Sequence, residues 1–166
     1  LEYYSVKEKN IQNMKRLNYK VSIQSPAATV YDNMLGLSEK STYEEWTSLF
    51  SPTSSYKGNW DVGSKILFVS VNEEGELEGM VSRIIENSVN KFVSIQHYGM
   101  LKSGEEITEG PEVEAWSGGL ENYSFEEKDG TTIVSIEIDA AEEYEEYMNK
   151  LYPKSLQKLK VICELD

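Results

Sequence analysis

Residues 140–163, AAEEYEEYMNKLYPKSLQKLKVIC, carry the longest helical pattern in the chain, and its reading decides the fold. Tyr144, Met148, Leu151, Ser155, Leu159 and Ile162 recur as one apolar stripe, which Tyr147, Leu156 and Cys163 widen. Glu142, Glu143, Glu145 and Glu146 suit the positive end of the helix dipole, and Lys154, Lys158 and Lys160 its negative end. Pro153 lies inside the pattern, where it removes one backbone hydrogen bond and is expected to kink or divide the helix near Leu151. A helix with such a stripe must bury it, at a gain of about 1.5–3 kcal/mol per large side chain. The segments before it are mostly strand-like, so the partner is a sheet.

Residues 17–23 alternate Leu17, Tyr19, Val21 and Ile23 against Asn18, Lys20 and Ser22, the period of a half-buried strand. Ser25-Pro26 reads as the cap of a short helix over 27–35 that Gly36 ends, and a second short helix runs from residue 39 or 42 to about 49. Strand-like runs follow at 54–60, 64–72, 77–86, 91–101, 117–127 and 131–139. Asp129-Gly130 between the last two is a tight hairpin turn, because a primed turn needs positive φ. Residues 102–115 are broken by Gly104, Gly110 and Pro111 and rich in glutamate. They read either as a lid over a binding site or as a solvated loop.

A formal charge of -13, with lysines and arginines scattered rather than clustered, argues against nucleic acid as a partner. The absence of a long apolar run argues against membrane insertion and a signal peptide, so a cytoplasmic protein is expected. Residues 1–16 read as an amino-terminal extension, flexible or partly foreign to the domain, with Met14 as a natural start; residues 17–164 read as one domain. Cys163 is the only cysteine and His97 the only histidine, so neither a disulfide nor a metal site is expected. The glycines match neither phosphate-loop nor dinucleotide patterns, and no cofactor is expected.

His97 shares a strand face with Val93, Ile95 and Leu101 by counting in twos, and Glu121 shares one with Tyr123 and Phe125. If both faces look inward, His97 and Glu121 meet as a ligand-orienting or acid/base pair. Otherwise Glu121 satisfies a backbone group or a tyrosine hydroxyl and His97 ends a strand.

The ordered motifs resemble the Hsp90-ATPase-activator-homologue type of the START/Bet v 1-like (SRPBCC) superfamily. They are Ser25-Pro26 with Val30-Tyr31, Trp46, Phe50-Ser51-Pro52, Gly58-Asn59-Trp60 with Gly63, and Ile66-Leu67-Phe68. Trp116, Glu121, Tyr123 and Phe125, Thr131-Thr132, and Tyr152-Pro153 with Leu156, Leu159 and Lys160 complete the set. The resemblance implies an α+β helix-grip fold: a curved antiparallel sheet around the long terminal helix, with two short helices after the first strand. It also implies an internal cavity, whose expected lining is Phe68, Val81, Ile95, His97, Glu121, Tyr123, Val134, Ile136, Tyr144, Met148 and Leu151. Such a wall suits a small hydrophobic or amphipathic molecule. The superfamily leaves two further readings, a protein-interaction module and a cyclase or hydrolase using His97 and Glu121.

Overall fold

The computed structural model describes residues 14–165, so the expectations for residues 1–13 lie outside the described residues. In chain order the elements are β1 (Met14–Ile23), α1 (Ala27–Leu35), α2 (Lys40–Trp46), β2 (Ser55–Gly58), β3 (Lys65–Val71), β4 (Leu77–Ser88) and β5 (Phe92–Lys102). After them come β6 (Glu105–Ile107), α3 (Pro111–Glu114), β7 (Gly119–Lys128), β8 (Thr131–Ala141), a 3-10 turn at Glu142–Tyr144 and α4 (Glu145–Glu164). The strands form one antiparallel sheet in the order β1-β8-β7-β5-β4-β3-β2, with β6 added beside the end of β5. This is the α+β helix-grip arrangement.

The Asp129-Gly130 turn joins β7 to β8 with φ of 53° and 78°, and Lys128 pairs with Thr131 across it. Both central residues thus hold the positive φ that a primed turn demands. Gly36 ends α1 in the left-handed region at φ 66°, its N–H bonded to the Asp32 carbonyl. The amino end of α1 is capped differently from the expectation. Ser25 makes no side-chain cap; instead Glu127, reaching from β7, accepts the Ala27 N–H at 2.6 Å. A carboxylate there also suits the helix dipole.

Strand β1 begins three residues before the expected domain start, so Met14, Lys15 and Arg16 belong to the sheet rather than to an extension. Met14 pairs with Ala141, and Arg16 forms an ion pair with Asp139 at 3.0 Å. The same pairing holds β8 extended to Ala141, which delays the terminal helix to Glu145. Tyr144 therefore sits in the 3-10 turn, out of phase with the helix, and is 51% exposed. The buried stripe is Tyr152, Ser155, Leu156, Leu159 and Cys163, rotated from the expected one, with Met148 and Ile162 packed at its edge. Helix α4 runs undivided through Pro153, because burial on both sides of the proline outweighs one lost hydrogen bond. Residues 102–115 are less open than expected: they hold β6 and α3, and Val113 is buried.

Two β-bulges in the β4–β5 pair reset which side chains face the helix. Ser82 pairs with His97 but Val81 with Gly99, which leaves Tyr98 as the extra residue; Ile85 is extra in the same way between Ile84 and Glu86. Past Tyr98 the alternation inverts, so Leu101 does not share the face of Val93, Ile95 and His97. Leu101 packs with Val69 and Val81 in a separate small cluster, whereas Val93 and Ile95 belong to the main core with α4. Val81, expected in the cavity wall, is accordingly on the wrong face. Gly79 on β4 has φ 142°, and a side chain there would run into the Phe68 carbonyl, so this position of the ladder takes only glycine without strain.

Candidate functional site

On the helix-facing side of the sheet, strand register places Glu121 opposite Ile95 and His97 opposite Gly119. With no side chain opposite His97, the Glu121 carboxylate reaches it diagonally: His97 Nε2 lies 3.0 Å from Glu121 Oε1. His97 Nδ1 lies 2.6 Å from Ser82 Oγ on β4. A carboxylate only accepts, so Nε2 carries a proton toward Glu121, while Nδ1 shares the second hydrogen bond with the Ser82 hydroxyl. From α4, the Tyr152 hydroxyl donates to the other oxygen, Oε2 of Glu121, and Tyr152 also hydrogen-bonds with Tyr123 of β7. The result is a chain of hydrogen bonds, Ser82–His97–Glu121–Tyr152–Tyr123, tying four elements together.

The surroundings are aromatic. Phe68 meets the His97 ring edge-on at 5.9 Å, and Trp46 lies 6.3 Å from Tyr123 and 6.4 Å from Tyr152. Tyr152 also stacks on Tyr19 at 5.1 Å and meets Phe50 at 5.4 Å. Burial is the main force raising the phenol pKa values of Tyr43, Tyr123 and Tyr152 far above the ordinary 10.0, and the negative Glu121 adds to it in each case. All three hydroxyls stay protonated, and Tyr152 donates its proton to the carboxylate. The His97 and Glu121 side chains retain 13% and 14% exposure, so the chain's centre is not sealed from solvent.

A consequence is measurable. Above pH 10.0 the unfolded tyrosines ionise while the folded ones keep their protons, so the folded state binds more protons and stability falls as pH rises. The tyrosines' full contribution is present below that pH and is lost progressively above it. Each buried tyrosine should steepen the fall by up to about 1.4 kcal/mol per pH unit. Urea unfolding across the alkaline range should show this slope, reduced by one such share in Tyr152→Phe; an unchanged slope would contradict the burial.

Of the residues picked from the sequence, Phe68, Ile95, Tyr123, Val134 and Ile136 face α4, and His97 and Glu121 touch. Met148 packs at the edge and Leu151 is half-buried. Tyr144 and Val81 are not brought to the site. Sequence reasoning missed Ser82, and it quoted Tyr152 only within a family motif rather than as a site residue. Ser82 lies two residues from the inward Ile84, so its face could be counted, but a serine amid apolar residues draws no notice. Ser82 has no exposed surface, and its hydrogen bond to Nδ1 positions the imidazole. Among the described residues no group of three or more His, Cys, Asp or Glu side chains is arranged to hold a metal ion. No helix among them is long and apolar enough to cross a membrane.

Comparison with known proteins gives the fold. No family model matches the sequence, and no curated protein does either. The solution structure of the Aha1 dimer from Colwellia psychrerythraea is similar with a TM-score of 0.66, at 19% identity over 92% of this chain and 98% of that one. The X-ray structure of protein NE0264 from Nitrosomonas europaea also gives 0.66, at 13% identity over 89% and 92%. CalU16 from Micromonospora echinospora gives 0.60, at 10% identity over 90% of this chain and 76% of that one. The chain shares with them the helix-grip fold.

Proposed function

We propose that the concave face binds a small hydrophobic or amphipathic molecule and that Glu121 and His97 orient its polar group. The observation that carries this is the setting of the hydrogen-bond chain: an ionisable pair, partly open to solvent, on an otherwise apolar and aromatic wall.

Native mass spectrometry of the purified protein tests the reading, followed by titration with N-phenyl-1-naphthylamine, a neutral apolar fluorophore with one N–H donor. A copurifying apolar compound or saturable fluorophore binding is expected, and Glu121→Gln should weaken fluorophore binding by about tenfold. No saturable binding, or wild-type affinity in Glu121→Gln, would refute the proposal.

A further inference from the structure

Glu121 is a charge without a fixed counter-charge. Its two partners are the His97 imidazole, 3.0 Å from Oε1, and the Tyr152 hydroxyl, which donates to Oε2. The lysine and arginine salt bridges among the described residues all go to other carboxylates, and His97 answers the charge only when it carries a second proton. The effect reaches three elements. Burial is the main force raising the phenol pKa values of Tyr43 on α2, Tyr123 on β7 and Tyr152 on α4, and the Glu121 charge adds to the rise at each. One negative centre thus dominates the potential on the helix-facing side of the sheet.

The groups beside it that keep some exposure are apolar. Phe68 meets the His97 ring at 5.9 Å, Phe50 meets the Tyr152 ring at 5.4 Å, and Met148 packs at the edge of the same core; all three are only partly buried. The exposed carboxylates behind the net charge of -13 are screened by water and salt, whereas Glu121, at 14% exposure among aromatic rings, acts through a lower dielectric. Its remaining exposure also limits the water that an entering cation must give up. Such a carboxylate holds an ammonium group better than a neutral donor. A charge-assisted hydrogen bond is about twice as strong as a neutral one, and aromatic faces attract cations besides.

We propose that the ligand of the concave face is an organic cation, an alkyl or aralkyl amine whose ammonium group lies beside Glu121 and whose apolar body lies against Phe50, Phe68 and Met148. The inference rests on the concave-face reading and adds to it the charge of the ligand's polar group. Selection comes from the field around the carboxylate. Oε1 and Oε2 each accept one hydrogen bond, so each keeps a lone pair for an ammonium N–H. An anionic amphiphile of the same shape is repelled by the same charge.

The test titrates the full chain with 4-phenylbutylamine, 4-phenylbutan-1-ol and 4-phenylbutanoate at about pH 8, where an alkylamine carries its proton. His97 is the only histidine, so its ring C–H resonances report on the site without further assignment. The amine should move them saturably and bind about tenfold more tightly than the alcohol, and the carboxylate should not bind. In Glu121→Gln the amine and the alcohol should bind alike. Glu126→Gln, at an exposed carboxylate on the same strand, should keep the preference. Equal binding of amine and alcohol to the unaltered protein would overturn the inference and leave the concave-face reading standing; that reading falls on its own if N-phenyl-1-naphthylamine fails to bind. Unmoved His97 resonances, or a preference that survives in Glu121→Gln, would also overturn it. The His97 shifts and the order of the three ligands on the unaltered protein decide even if Glu121→Gln fails to fold.

Discussion

Trp46→Ala is expected to lower stability by about 3–5 kcal/mol, the cost of emptying a large aromatic site in a packed core. Trp46 is almost fully buried, and its indole N–H holds the Met34 carbonyl at 2.9 Å. Its ring touches Tyr43, Tyr123 and Tyr152, so one side chain from α2 joins α1, the sheet and α4. Removing it leaves a void and an unpaired buried carbonyl together. Trp46→Phe keeps most of the ring volume and gives up the hydrogen bond, for an expected loss of about 1–2 kcal/mol. Urea unfolding should show both as midpoint shifts with an unchanged slope. A loss below about 1 kcal/mol for Trp46→Ala would mean that α2 is not keyed into the sheet as described.

The contrast between what was readable and what was not has physical causes. Gly36 and the Asp129-Gly130 turn were legible because a positive φ strongly restricts residue type. The contact of His97 with Glu121 was reachable by counting in twos, since no bulge interrupts β5 between Val93 and His97 or β7 between Glu121 and Phe125. Leu101 escaped that count because the extra residue at Tyr98 inverts the alternation, and a bulge has no fixed sequence signature. Val81 escaped for another reason. Strand β4 carries apolar residues on both faces, Ile84 toward α4 and Val81 away from it, so apolarity alone could not assign a side.

The terminal helix shows how a long-range pairing overrides a local pattern. Periodicity alone started it at Ala140, but the β1–β8 ladder claims the chain to Ala141. The helical phase is then set from Glu145, and the stripe turns so that Tyr152 faces Glu121. That rotation created the central contact of the candidate site. The hydrogen-bond chain is therefore a product of strand register and helix phase together, which no single segment encodes.

Glu121→Leu should cost about 2–5 kcal/mol, because it strands two donors, the His97 Nε2–H and the Tyr152 hydroxyl, in a largely buried setting. The leucine recovers some apolar burial and relieves the partly buried carboxylate, which keeps the loss below the sum of two broken charged bonds. Glu121→Gln retains one acceptor oxygen and sets an amide N–H₂ against the other donor, so its loss should be smaller, about 1–2 kcal/mol. The decisive measurement is a double-mutant cycle of Glu121→Gln with Tyr152→Phe. Residues sharing one buried hydrogen bond should show a coupling of about 1–3 kcal/mol, whereas independent sites would add within about 0.5 kcal/mol. Additivity would mean that Tyr152 and Glu121 are neighbours without being partners, and the orienting role assigned to Glu121 would lose its anchor on α4.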